Sequence, residues 1–251
     1  GVNTIIDSKT KKVYRAALPK GTVFMGFAVA SDQEKTGLFH IPISDASSQT
    51  KVSTVSYSIY DKRGKLLETK DLGIKQNAGI VCGEMQKDFL VVNSYLSENN
   101  GNTDNRKATV SFVKLNDNHV ISKAANFSTY ALGPKANYLA GISLQTKAGK
   151  NIYEDMDGDW LVVYNSLGEK IKSWLNPIPD NTDIMFTRVF WSNDSKNVYV
   201  LGVDYQKKMT TIWCGNLEGT SPIEKVLTVP YDSQFVGLSN KNELYLLVEN
   251  K

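Results

Sequence analysis

The chain is poor in the residues that carry metal and nucleophilic chemistry. Among 251 residues it has two histidines, His40 and His119, and two cysteines, Cys82 and Cys214. A zinc site with three or four His or Cys ligands cannot be built from these without recruiting carboxylates. A Ser-His-Asp triad would have to use one of the two histidines. His40 sits in the apolar run Gly37-Leu38-Phe39-His40-Ile41-Pro42-Ile43, where a strand histidine is more often structural, and His119 follows the turn-like Asn116-Asp117-Asn118. No glycine-flanked serine marks a nucleophile elbow, and neither a Walker loop nor a strand-linked G-x-G-x-x-G is present. Both cysteines lie in apolar, strand-like stretches and read as buried free thiols.

Long apolar runs are also missing. The longest candidate, Val23 to Ala30, is interrupted by Gly26 and falls far short of the roughly 18 to 20 residues a transmembrane helix needs. Neither sign of charge dominates: 29 basic and 26 acidic residues give a net charge of +3, scattered along the chain, so a nucleic-acid partner is not implied. With 41% hydrophobic residues the chain can bury a full core, and we expect one domain spanning residues 1–251.

What is abundant is strand pattern. Alternating or continuous β-branched and aromatic residues recur at Val52 to Tyr60, Phe89 to Tyr95, Ala108 to Leu115, Trp160 to Tyr164, Val198 to Val203, Thr210 to Cys214 and Leu244 to Val248. Between them lie clusters of Gly, Asn, Asp, Ser and Lys, the turn formers. The pattern predicts an all-β chain. A unit of strand, Asx-initiated turn and amphipathic strand repeats, with turns starting at Asp61, Asn116, Asn165 and Asn216 at intervals of 55, 49 and 51 residues. Such spacing predicts four-stranded propeller blades whose outer hairpins close on Asx-x-x-Gly turns, with the glycine supplying positive φ. Many short strands are also compatible with a pair of β-sandwiches.

In the fourth unit, Trp191-Ser192-Asn193-Asp194-Ser195-Lys196 followed by Asn197-Val198-Tyr199-Val200-Leu201 resembles the TolB-type, WD40-like propeller repeat. That repeat usually reads Trp-Ser-Pro-Asp-Gly-Lys before a buried strand and ends in an Asp-x-x-Gly turn, matched here by Asn216 to Gly219. Asn193 replaces the proline and Ser195 the glycine, and one blade carries the match. The resemblance implies a fold and no particular activity.

We expect a five-bladed β-propeller. Its units are Pro19 to Leu72, Gly73 to Phe127, Ser128 to Pro177 and Ile178 to Pro230. The fifth is a composite blade in which the C-terminal strands (Tyr231 to Lys251) pair with the N-terminal ones (Gly1 to Leu18). The loops entering each innermost strand and those joining second to third strands then share the face around the channel mouth. Candidate ligand-binding residues on that face are Tyr130, Asp180, Asp183, Tyr205, Tyr231 and Asp232. Asp155, Asp157 and Asp159, in a long insertion with Glu154 and Gly158, read either as a solvated turn or as a calcium site, since calcium takes hard oxygen ligands; no other cofactor is expected.

The expected function is non-catalytic: a binding or scaffold module recognising a protein, peptide or glycan through that face, working as a monomer. The alternative is a carbohydrate-active hydrolase using acids such as Asp183 and Glu84. A start at Gly1-Val2-Asn3 on a strand suits a processed chain. The preference for Asn, Thr, Ser, Lys and Tyr over Cys and His suits an extracytoplasmic bacterial protein, secreted or lipid-anchored.

Overall fold

The computed structural model describes residues 2–6, 10–29, 34–46, 52–77, 82–86, 89–97, 106–117, 119–124, 127–134, 138–143, 159–178, 183–230, 233–239 and 241–248. Apart from one helical turn, α1 (Ile43–Ala46), their regular structure is antiparallel strand. Four sheets of four strands follow chain order: β3 (Thr22–Val29), β4 (Lys35–Pro42), β5 (Ser53–Asp61) and β6 (Leu66–Gln76); β7 (Cys82–Gln86), β8 (Phe89–Ser97), β9 (Arg106–Lys114) and β10 (His119–Ala124); β11 (Phe127–Leu132), β12 (Leu139–Ser143), β13 (Leu161–Tyr164) and β14 (Lys170–Trp174); β15 (Ile184–Trp191), β16 (Asn197–Asp204), β17 (Met209–Asn216) and β18 (Glu224–Pro230). These are the blades that the repeat predicted. Blade one is a complete meander despite its irregular sequence, and β6 runs on to Gln76, past the expected boundary at Leu72.

The outer hairpins close as the Asx pattern requires. Asp61 Oδ1 accepts the backbone N–H groups of Arg63 and Lys65 at 2.8 and 2.9 Å, and Asn165 Oδ1 accepts those of Leu167 and Glu169 at 2.9 and 3.0 Å. Asn216 Oδ1 does the same for Glu218 and Gly219. In blade two Asp117 Oδ1 accepts the His119 backbone N–H at 3.1 Å. One detail differs from expectation. Gly64 and Gly168 have positive φ (76° and 69°), but Gly219 does not.

A second repeat lies in the innermost strands. In β3, β11 and β15 one residue is skipped in the pairing with the next strand: Met25, Ser128 and Thr187. Each follows a phenylalanine: Phe24, Phe127 and Phe186. A bulge at this position bends and twists the strand.

The chain divides into two compact units, Gly1–Ala125 and Asn126–Lys251. In the first, blades one and two bury a shared core of Phe39, Ile41, Val55, Tyr57, Ile74, Met85, Leu90, Val92 and Val113. The Phe39 ring covers Gly83 of β7, where an added Cβ would fall 2.7 Å from it, and the Tyr57 hydroxyl donates to Met85 Sδ at 3.3 Å. In the second unit, blades three and four close over Trp160, Leu161, Val163, Trp174, Val189, Trp191, Val198, Val200 and Trp213. There Phe186 sits edge-on between Trp160 and Trp213, at 4.7 and 5.6 Å between ring centroids, and Trp174 covers Gly215. The Trp191 indole donates to Ala131 O at 2.9 Å, tying β15 to β11.

The outer edges repeat one contact. Lys70 on β6 donates to Leu115 O at the turn of the following blade, and Lys172 on β14 donates to Gly219 O at 2.5 Å in the same way. The N-terminal hairpin, β1 (Val2–Ile6) with β2 (Val13–Ala17), stands to blade one in that relation: Arg15 O lies where a Cβ on Gly64 would come within 2.5 Å. Tyr60 strengthens the contact by donating its hydroxyl to Ala17 O at 2.7 Å. Replacing Tyr60 with Phe should cost about 1 kcal/mol, the net worth of one buried hydrogen bond; an unchanged urea midpoint would show that the hairpin is not held this way.

The C-terminal hairpin, β19 (Ser233–Leu238) with β20 (Leu244–Val248), packs Leu238 and Leu244 on Phe190, Tyr199, Leu201 and Ile212 of blade four. It repeats the innermost-strand bulge, with Val236 skipped after Phe235. Among the described residues β1 pairs with β2 and β19 with β20, each as a two-stranded sheet.

Candidate functional site

Blade four brings Asp183 and Tyr205 to one end of its sheet. Ile184 at the start of β15 pairs with Asp204 at the end of β16, and Asp204 pairs in turn with Met209 at the start of β17. The residue entering β15, Asp183, and the turn 205–208 therefore project from one end of the sheet. Asp183 is exposed and its Oδ1 accepts from Gln206 Nε2 at 3.4 Å; Tyr205 is 52% exposed. Asp204 holds the turn from beneath. It is buried, accepts the Lys207 backbone N–H at 2.9 Å and pairs with Lys207 Nζ at 3.2 Å. The Lys207 backbone bond, with further help from its ammonium group, keeps the Asp204 carboxyl below the usual carboxylate range.

Of the residues expected on this face, Asp183 and Tyr205 are thus brought to one end of one blade. Tyr130 is not in a loop: β11 begins at Phe127, so Tyr130 lies inside the strand opposite Gly141, half-buried, with its ring 6.5 Å from that of Phe127. Asp180, Tyr231 and Asp232 lie outside the described residues, as do Asp155 and Asp157. Asp159 is described, and both its oxygens are engaged: Oδ2 by Lys170 Nζ, Oδ1 by Ser173 Oγ at 2.6 Å. These bonds, that from Lys170 foremost, hold its carboxyl below the ordinary range. Both contacts run from Asp159 to β14, and among the described residues no cluster of three metal-binding side chains occurs. Gln206 and Asp204 were missed by sequence reasoning, although Asp204 three residues before Lys207 is the same Asx pattern that located the outer hairpins.

The histidine set aside as structural has a definite setting. His40 is 2% exposed on β4, its Nε2 2.8 Å from Ser58 Oγ, which is itself 2.8 Å from Thr69 Oγ1. Its Nδ1 is buried without a partner. Burial pushes the His40 pKa below the ordinary 6.5. The stabilising neutral form is therefore fully present above pH 6.5, and stability falls as pH drops from 6.5 towards the lowered folded value, because the unfolded chain then takes up a proton that the folded chain refuses. Urea midpoints measured from about pH 8 to about pH 5 should decline over that window, and His40→Gln should remove this limb. A flat wild-type profile would contradict the assignment. Cys214 is a free, half-buried thiol beside Tyr199; burial raises the pKa of both, that of Tyr199 to about 12.

No protein-family model matches the chain, and no curated protein matches it by sequence. Solved structures do match it in fold. A candidate 6-phosphogluconolactonase from Bacteroides uniformis aligns with a TM-score of 0.51 at 13% identity, covering 100% of this chain and 71% of that one. The periplasmic gluconolactonase of Pseudomonas aeruginosa aligns at 0.49 and 13% identity, covering 97% and 70%. The β-propeller domain of the Trilobed protease from Pyrococcus furiosus aligns at 0.49 and 13%, covering 89% and 62%. With its successive four-stranded antiparallel sheets, the chain has a β-propeller-type fold. Likeness at this identity carries fold and not activity.

Proposed function

We propose that the chain is a single, monomeric propeller domain acting as an extracytoplasmic, non-catalytic binding or scaffold module. It recognises a protein, peptide or glycan through the rim to which Asp183 and Tyr205 belong. The observation that carries this reading is the exposed Asp183, Gln206 and Tyr205 group on a turn pinned from below by buried Asp204. Rigid support beneath an exposed aromatic and a hydrogen-bonding pair is what a recognition surface needs, because it lowers the ordering cost of binding.

No helix among the described residues is long and apolar enough to cross a membrane. The test is a hydrolysis screen on aryl glycosides beside a binding screen of immobilised peptides and oligosaccharides, with wild type and Asp183→Asn. Binding without turnover is the expected result. Hydrolysis that is lost in Asp183→Asn would overturn the reading in favour of a carbohydrate-active hydrolase.

A further inference from the structure

We infer that the N-terminal hairpin and the outer turn of blade one form a docking surface for an anionic lipid bilayer. This surface belongs to the first compact unit alone and does not rest on the reading of the blade-four rim. The small positive charge of the chain is unevenly divided. Residues 1–125 hold 17 basic and 12 acidic residues, a net +5, whereas residues 126–251 hold 12 and 14, a net −2. The fold then gathers part of that excess in one place. Lys11, Lys12 and Arg15 stand at the turn end of the hairpin and on β2, all exposed. The turn of blade one lies against them, since a Cβ on Gly64 would come within 2.5 Å of Arg15 O and 3.4 Å of Tyr14 Cβ. Exposed Arg63 and Lys65, which flank Gly64, thereby join the same patch. The neighbouring acids are engaged elsewhere: Asp61 accepts the Arg63 and Lys65 backbone N–H groups, Glu34 pairs with Lys62 and Glu68 with Lys70. Among the described residues no carboxylate forms an ion pair with any of these five cations.

Charge alone would suit any polyanion; the apolar side chains select the bilayer. Ile6 and Val13 pair across β1 and β2 at the turn end of the hairpin and are 65% and 62% exposed. Strand alternation puts Thr4 and Arg15 on their face. On the opposite face Ile5 and Ala16 pack with Leu38 and Tyr60, so folding uses that side of the hairpin and leaves Ile6 and Val13 in water. Leu66 and Leu67, beside Lys65, are exposed as well. A polyanion in water gains little from aliphatic groups. A bilayer takes them below its phosphates, where their burial adds to the attraction between lysines and anionic headgroups. The long stems of Lys11 and Lys12 let their ammonium groups stay at phosphate level while Ile6 and Val13 go deeper.

The test is co-sedimentation of the whole chain with vesicles of phosphatidylcholine alone, and with vesicles in which about 30% is replaced by phosphatidylglycerol. Binding to the anionic vesicles only is expected, and raising the salt from about 0.1 M to about 0.5 M should weaken it. Lys11→Gln with Lys12→Gln should lower the partition coefficient roughly 25-fold and Arg63→Gln roughly fivefold, the weight of two charges and of one. Ile6→Ser with Val13→Ser should lower it roughly tenfold or more. Val13→Trp, a larger apolar group at the same exposed place, should bind more tightly and so reads the apolar contribution without weakening the hairpin. Urea midpoints equal to wild type show that the variants fold. A wild type that ignores anionic vesicles overturns the inference, as does vesicle binding that either paired replacement leaves unchanged. If the chain ignores vesicles but binds polyglutamate through Lys11 and Lys12, the surface takes an acidic protein and the bilayer inference falls. The blade-four reading is tested separately, by Asp183→Asn in the binding screen.

Discussion

Gly37→Ala should destabilise the protein by about 3 kcal/mol, a large share of a domain's total stability. A Cβ at this position would lie 1.7 Å from the Tyr57 hydroxyl, 1.8 Å from Cζ and 2.0 Å from Cε2. The ring has nowhere to go. Tyr57 is fully buried, packs on Phe39 at 4.8 Å between centroids, and is tied by its hydroxyl to Met85 Sδ in the next blade. Relief therefore has to come from moving β4 away from β5 or from breaking the contact between blades one and two. Gly37→Ala combined with Tyr57→Leu should recover part of the loss, because the second change removes the atoms that the new methyl strikes. Urea denaturation with constant m-value measures both. An alanine variant as stable as wild type would falsify the packing of Tyr57 across Gly37.

The second large effect is expected at Asn193, where the resembling repeat has proline. The Asn193 backbone N–H donates to Asn242 Oδ1 at 2.7 Å, and its side-chain amide donates to Ser239 O, both in the turn of the C-terminal hairpin. Proline would remove both donors at once, and at roughly 1 kcal/mol for each hydrogen bond the cost is about 2 kcal/mol. Asn193→Ala keeps the backbone donor and should cost about half as much. The loss should be local. Hydrogen exchange in β19 and β20 should accelerate before that of β16 and β17, since the bonds hold one hairpin against an otherwise complete blade. Equal stability of the proline and alanine variants would show that the backbone bond to Asn242 does not matter. The neighbouring departure, Ser195 for glycine, has a visible cost of its own: Ser195 adopts φ 60°, the left-handed backbone that glycine takes without strain.

Blade architecture was legible because its signals are local. Asp61, Asn165 and Asn216 each bond the backbone within four residues, so the turn, and with it the hairpin register, is written in short stretches of chain. The innermost-strand bulges were equally local, each following a phenylalanine, but their period is carried by single residues among apolar neighbours and was not read. At the candidate site, Asp183 and Tyr205 lie at one end of β15 to β17, as the blade repeat suggests, whereas Tyr130 lies within β11, because a strand start shifted by a few residues moves a side chain from loop to ladder.

By itself, then, the sequence determined an all-β, blade-repeating chain, its turns, its poverty in metal and nucleophile chemistry, and the strand register that sets each hairpin. Only the tertiary structure decided which distant groups meet: Gly37 beneath Tyr57, Asn193 against Asn242, Asp159 taken by Lys170 and Ser173, and Gln206 drawn to Asp183. The division has a physical basis. Turn and strand preferences act over a few residues through backbone geometry and short hydrogen bonds, whereas these pairings depend on how whole sheets pack, and packing depends on side-chain volumes that no short stretch of chain contains.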